Sequence, residues 1–379
     1  MKIAIIHNFM DNIGGAEIVD LILARELNAD IYTTNIDKEK IQKMGFSTEN
    51  IFSIGKIPIN APFKQEFAYW KFRRLNIKKR FKKNYDFYII AGDWAMPTAI
   101  HNKPNLWYVY SPKREIWDLY KYVRSEIIPG VYLGNLNKYI FDLWVKFHRY
   151  RDMKDLKYIQ NIISISKNVQ ERVKKYLGKK SKIIYPPTET KKYFYKKSKG
   201  YWLSVNRLFQ HKRIDLQLKA FSKLPHEKLI IVGSYENSEH FLKYAKYCQK
   251  IKPKNVEIKS WITDKELIEL YANCKGFIAT SLDEDYGMNV VEAMASGKPV
   301  IAANEGGFKE TIINNKSGIL IDNIDENKLA DAIKKFGKQI EKGPLKFKIT
   351  CQKQAKKFDT EVFIKKIREQ IKKGINKII

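Results

Sequence analysis

The chain has 379 residues and a formal net charge of +30, from 71 Lys and Arg against 41 Asp and Glu. That length exceeds what one ordinary core organises, and 44% hydrophobic with 13% aromatic residues exclude a disordered polycation. Cys248, Cys274 and Cys351 form no CxxC or Cys/His cluster, which argues against a zinc site and for a reducing compartment. No apolar run reaches the length of a bilayer span, and MKIAIIHN is too brief for a signal peptide, so a cytoplasmic protein is expected.

KIAIIHN reads as a buried parallel strand, followed by a glycine turn and a helix over Ala16–Leu27. Strands are predicted at Asp30–Thr34, Phe87–Ala91, Leu106–Tyr110 and Ile162–Ser166, with a helix over Lys167–Leu177. Tyr185-Pro186-Pro187 and the lysine-rich stretch to Lys199 read as a linker. A second alternation follows: YWLSVNRL, KLIIVGS, VEIKSW, GFIATS and PVIAAN as strands, with helical patterns between them and at Glu326–Phe336. Gln352–Lys373 is again amphipathic, with Gly374 as its stop. The alternation predicts α/β architecture with parallel sheets, in two halves, and a ligand beyond the carboxyl ends of the strands. The expected boundaries are 1–185, 186–355 and a final helix, 356–379, that packs back on the first domain.

The stretch LDEDYGMNVVEAMASGKPVIA, from Leu282, concentrates carboxylates in a basic chain. Gly287 permits a turn and close approach of a ligand, and the helix start at Met288 favours a phosphate. Carboxylates serve hydroxyls better than phosphates, being acceptors only. Glu284 before the helix and Glu292 more than one turn inside it can therefore face different parts of one ligand, a sugar and a ribose, with the phosphate between them. Gly306-Gly307 reads as a second loop of the same kind. In SVNRLFQHKRID, Arg207 and Lys212 stand at the carboxyl edge of the same sheet and can neutralise a diphosphate. Each piece alone is weak, since an Arg-x4-Lys is common in so basic a chain; their order, basic loop early and acidic glycine loop late, carries the signal.

The stretch EDYGMNVVEAMASGKPVIAANEGGFKETIINNKSGIL resembles the donor-site signature of the retaining glycosyltransferases of family 4, with the E-x7-E pair at Glu284 and Glu292. SVNRLFQHKRIDLQLKAF is similar to the same family's basic loop, in the KRID form seen in mannosyltransferases of polysaccharide assembly, and GGAE at Gly14–Glu17 to its first loop. The resemblance implies a GT-B fold, two Rossmann-like domains with parallel sheets facing a central cleft, and metal-independent transfer with retention. It implies that Arg207 and Lys212 bind the diphosphate, Glu284 the transferred sugar and Glu292 the ribose. Tyr286, Gly287 and the amides of Met288, Asn289 and Val290 would assist, and Ile262 would lie near the base. Trp261 departs from the glycine usual there. Gly14, Gly15, Asp93, Tyr110 and Arg114 would line the acceptor side. Tyr110 stands where the family often has a histidine, and could position an acceptor sugar by hydrogen bonding; Asp93 and His101 are substitutes.

Ala61–Lys83 interleaves Phe63, Phe67, Trp70, Phe72 and Phe81 with nine lysines and arginines. It reads either as a helix on an anionic membrane surface or as a core helix of the first domain, and Tyr132–Tyr158 could extend the same face. No nucleic-acid motif accompanies it. The expectation is a glycosyltransferase at the inner membrane face, moving a hexose, in one reading mannose from GDP-mannose, onto a glycan or polyprenyl-linked acceptor. The rival readings are a nucleotide-sugar epimerase of the same fold and a non-catalytic basic protein on membranes or nucleic acid; the absence of G-x-G-x-x-G argues against a dinucleotide oxidoreductase.

Overall fold

The computed structural model describes residues 1–58, 64–126, 136–233, 239–260 and 262–376. They form two compact units, Met1–Tyr185 with Phe363–Ile379, and Pro186–Val362. Trp261 and the start of the 61–83 segment, Phe63 included, lie outside the described residues.

The first unit is built on seven strands: β1 (Ile3–Ile6), β2 (Asp30–Thr33), β3 (Ile51–Ser53), β4 (Phe87–Ile90), β5 (Asn105–Val109), β6 (Ile162–Ser164) and β7 (Lys182–Ile183). They pair in parallel in the order β3-β2-β1-β4-β5-β6-β7. The run IAII of β1 is buried throughout, as a central parallel strand covered on both faces requires. Its helices are α1 (Gly15–Leu27), α2 (Lys38–Lys43), α3 (Lys64–Arg73), α4 (Ile77–Phe81), α5 (Tyr120–Glu126), α6 (Leu136–Asp155) and α7 (Lys167–Leu177).

The second unit holds β8 (Tyr201–Val205), β9 (Lys228–Val232), β10 (Val256–Lys259), β11 (Gly276–Ala279), β12 (Val300–Ala303) and β13 (Gly318–Ile321), parallel in the order β10-β9-β8-β11-β12-β13. Between and after them lie α8 (Ile214–Ser222), α9 (Glu239–Ile251), α10 (Asp264–Asn273), α11 (Met288–Ala295), α12 (Phe308–Thr311), α13 (Glu326–Lys342) and α14 (Pro344–Ala355); α15 (Thr360–Ile375) belongs to the first unit from Phe363 onward. Trp202, Phe221 and Phe277 are fully buried in this unit.

The predicted terminal helix is two helices. α14 ends at Ala355, a 3-10 turn follows, and Asp359 stands extended before α15. The Thr188 N–H donates to the Phe358 carbonyl (2.9 Å), so the linker is tied to that turn. Gly374 does not stop α15, which continues to Ile375. A Cβ at Gly374 would lie 2.5 Å from the Phe87 ring, so the glycine serves close packing on β4. Arg368 also donates to the Glu26 carbonyl (2.9 Å), and Phe363 packs edge-on to Tyr108 at 5.8 Å.

Candidate active site

Each sheet reverses its strand order beside its first strand, between β1 and β4 and between β8 and β11. Loops leaving the carboxyl ends of the two strands at such a point splay apart, which is where α/β sheets take ligands. In the second unit those loops are Asn206–Arg213 and Thr280–Gly287, the two stretches that carry the sequence signal.

The structure brings Lys212 and Glu284 together. Lys212 Nζ lies 2.6 Å from Glu284 Oε2, both largely shielded, at 19% and 16% exposure. Burial opposes the charge on Glu284, but Lys212 outweighs it and holds the carboxyl down at about 2. Glu284 is thus ionised at any physiological pH. The backbone is pinned to match: the Leu282 N–H donates to the His211 carbonyl (2.7 Å), and Thr280 Oγ1 to the Lys212 carbonyl (2.9 Å). Arg207 stands half-buried after β8, its guanidinium 6.0 Å from the Phe209 ring.

Gly287 caps α11 at φ 84°, a left-handed conformation that disfavours side chains, and a Cβ there would meet Phe308 at 2.6 Å. The Val290 N–H turns back to the Gly287 carbonyl (3.1 Å), so the helix start presents Met288 and Asn289 rather than all three predicted amides. Asn289 Nδ2 donates to the Val205 carbonyl (2.6 Å), tying the helix start to β8, and Tyr286 is buried beneath the loop. Glu292 accepts from Tyr271 Oη (2.8 Å) and from Tyr193; burial nevertheless raises its carboxyl above the usual range. Ile262 is half-buried beyond β10.

Gly306-Gly307 is not a second phosphate loop of the same kind. The helix after it, α12, has four residues. A Cβ at Gly306 would lie 2.3 Å from the Glu284 carbonyl oxygen, and one at Gly307 2.5 Å from Tyr286 Cα, while the Gly307 N–H donates to the Glu284 carbonyl (2.8 Å). The pair is small because the acidic loop lies directly on it. Sequence reasoning also missed Arg213 and Glu305. Arg213 pairs with both Glu305 oxygens at 3.1 and 3.0 Å and donates to the Thr280 and Ser281 carbonyls, and Glu305 Oε2 accepts the Asp283 N–H. One guanidinium therefore fastens three loops; the signal was the KRID motif, read only as far as its lysine.

The first unit's reversal point is charged as well, but inwardly. His7 follows β1, with Nδ1 2.6 Å from Asp20 and Nε2 3.1 Å from Glu17, both on α1. Burial alone would discharge the imidazole; the two carboxylates outweigh it and hold the ring up at about 10. The predicted acceptor residues are engaged in this frame. The Gly14 N–H donates to Glu17 Oε2 (2.8 Å), and Gly15 opens α1. Tyr110 Oη lies 2.7 Å from Asp20 Oδ1 and 3.0 Å from the Ala16 carbonyl, so its single proton has acceptors within the protein. Asp93 accepts from Asn8 Nδ2 (2.6 Å) and the Trp94 N–H (2.8 Å), and Arg114 pairs with Asp118 at 2.8 Å. His101 is exposed. Glu115, which the sequence did not single out, is pushed up to about 7 by burial and by Asp93.

Two doubly wound parallel sheets, each reversing beside its first strand, define the GT-B class of fold. The protein of Anabaena Alr3699/HepE, solved in complex with UDP-glucose, has it: TM-score 0.72 at 16% identity, covering 98% of this chain and 100% of that one. Residues 187–357, in the second unit, match the family model described as glycosyl transferases group 1. Among curated proteins the chain is similar to the alpha-1,3/1,6-mannosyltransferase alg-2 of Neurospora crassa, 30% identical over 36% of this chain and 35% of that protein. It is also similar to the alpha-1,3/1,6-mannosyltransferase ALG2 of Candida glabrata, 24% identical over 83% and 78%. The chain spans about a third to a half of the length of the first relatives it matches.

Proposed function

We propose that the protein is a retaining glycosyltransferase that moves a hexose, mannose from GDP-mannose in the preferred reading, onto a glycan or polyprenyl-linked acceptor at an anionic membrane surface. The observation that carries it is the Lys212–Glu284 pair at the β8/β11 reversal, beside the start of α11. An ammonium has three donors, so Lys212 can keep one on Glu284 and turn others to phosphate oxygens. Arg207 would share that charge as the glycosidic bond breaks, and the amides of Met288 and Asn289 would add theirs. Glu284, held ionised, would accept sugar hydroxyls, and Glu292 the ribose. Transfer without a metal belongs to the same proposal. The mannosyltransferase relatives support mannose; the UDP-glucose complex of the HepE structure supports a UDP-hexose as the second donor reading.

The test is a product assay with GDP-mannose and UDP-glucose, with and without chelator, on a polyprenyl-linked acceptor. Retention predicts that the anomeric configuration of the donor survives in the product. Inversion, a strict metal requirement, or donor conversion without acceptor each contradict it.

A further inference from the structure

The helix α6 is built inside out. Its inward residues include Val145 but also His148, Arg151, Asp152 and Asp155, all buried. Its outward residues are Tyr139, Ile140, Leu143, Phe147, Tyr150 and Met153, from 41% to 64% exposed. Positions 139, 143, 147, 150 and 153 recur at helical spacing and form one stripe. The charges hold the helix in this orientation. Asp155 pairs with Arg73 and accepts from Tyr69 Oη, Asp152 pairs with Lys113, and Arg151 pairs with Glu66 of α3 at 2.8 Å. Rolling the helix to hide its apolar stripe would break several buried ion pairs, each costly to leave half made.

The stripe continues onto α3. Arg151 lies 3.2 Å from the Tyr69 ring centroid, 5.1 Å from Trp70 and 4.9 Å from Phe147, so the two helices meet at this residue. Beside it Phe67 and Trp70 are 52% and 46% exposed. Of the two expectations for 61–83, a helix on an anionic membrane surface or a core helix of the first domain, the second fits most of its described aromatics. The segment makes two helices, Tyr69 and Phe72 are buried, and Phe81 packs on Tyr32 at 4.8 Å. Only Phe67 and Trp70 of its described aromatics reach the surface strongly; most of the outward apolar area lies on α6.

We propose that this α6–α3 face lies in the headgroup region of an anionic lipid bilayer. Aromatic and aliphatic side chains in the plane of a helix suit the boundary between headgroups and acyl chains, and lysines at its edges meet lipid phosphates. Lys146 and Lys154 are exposed among the stripe residues. The acids of α6 are directed elsewhere, Asp142 to Arg124 at 2.8 Å and Asp152 and Asp155 inward. A second copy of the chain would bring the same lysines together across an interface, where like charges repel; an anionic lipid surface complements them. The proposal deepens the membrane part of the function above and rests on that part alone.

The experiment is co-sedimentation of the full chain with phosphatidylcholine vesicles, with and without phosphatidylglycerol. Binding should require phosphatidylglycerol and weaken with salt. The double variant Leu143→Glu/Phe147→Glu should lower vesicle partitioning about tenfold or more, with the melting point and its response to nucleotide unchanged. Leu143→Ser/Phe147→Ser gives the same direction should the first variant fold poorly. Unaltered partitioning of a folded variant overturns the proposal. So does conversion of a dimer to a monomer with vesicle binding intact, which would assign the face to a second copy. A lost nucleotide response in the wild type would strike the donor-site reading without touching this one.

Discussion

The two reversal points of the molecule share a topology and differ in where their charge is directed. At β1/β4 a histidine is held between Asp20 and Glu17, Tyr110 adds its hydroxyl, and Asn8 spans to Asp93. These polar groups pair among themselves. At β8/β11 Lys212 and Glu284 meet each other in loops fastened from behind by Arg213 and Glu305 and floored by Gly306-Gly307. The difference is one of support. In the first unit the polar groups themselves brace the loop after β1, while in the second a separate ion pair does the bracing. Lys212 and Glu284 are the pair that the proposed function assigns to the donor.

That contrast predicts an order of effects. Glu284→Ala should lower transfer by about 10²–10³-fold or more, the scale of losing a group aimed at the reacting sugar, with only a modest loss of nucleotide affinity. Equal losses in both, measured by turnover and calorimetry, would remove the sugar-binding role. His7→Ala should act oppositely, destabilising the fold by about 3–5 kcal/mol because two buried carboxylates lose their partner. The response of its melting point to nucleotide should persist, and a melting point at the wild-type value would break the assignment of His7 as a brace. Arg213→Ala should cost about 2–3 kcal/mol through lost charge-assisted hydrogen bonds. Denaturant unfolding reads this directly, and transfer should fall alongside as Glu284 loses its position.

The smallest effect is on pH dependence, and its sign separates the two sites. His7 has its folded pKa raised to about 10 from an ordinary 6.5, so its contribution is full below pH 6.5 and is lost as pH rises through 10. Glu284, lowered to about 2 from 4.5, contributes fully above 4.5 and loses that contribution as pH falls through 2. The gap in stability between wild type and His7→Gln should therefore narrow on the alkaline side, and that for Glu284→Gln on the acid side. Parallel curves in either comparison would contradict the electrostatic assignment.

Much of this arrangement was legible in the sequence because it is local. A strand run, a glycine and an amphipathic helix are contiguous, so the order of residues alone places the Lys212 and Glu284 loops at strand ends. The edge strands β3 and β7 were not legible, since runs of three and two residues at a sheet edge carry little pattern. Gly306-Gly307 read as a ligand loop because a close approach of backbone to backbone leaves the same glycine signature as a close approach to phosphate. Tyr110 could be placed but not oriented, because its partner Asp20 lies 90 residues away. The orientation of α6 was hidden for a similar reason: its aromatic stripe looks like a core face, and only the ion pairs to α3 and to Lys113 show which side turns inward.

The most direct measurement is thermal stabilisation of the protein across GDP, UDP, ADP, GDP-mannose, UDP-glucose and UDP-N-acetylglucosamine, repeated on Glu284→Ala. A ligand bound only by the folded state raises the melting point. One base should stand out, its sugar nucleotide should stabilise the wild type more than the bare diphosphate does, and Glu284→Ala should erase this increment while the diphosphate still binds. No response to any of the six, or an increment that survives the substitution, would contradict the donor-site reading.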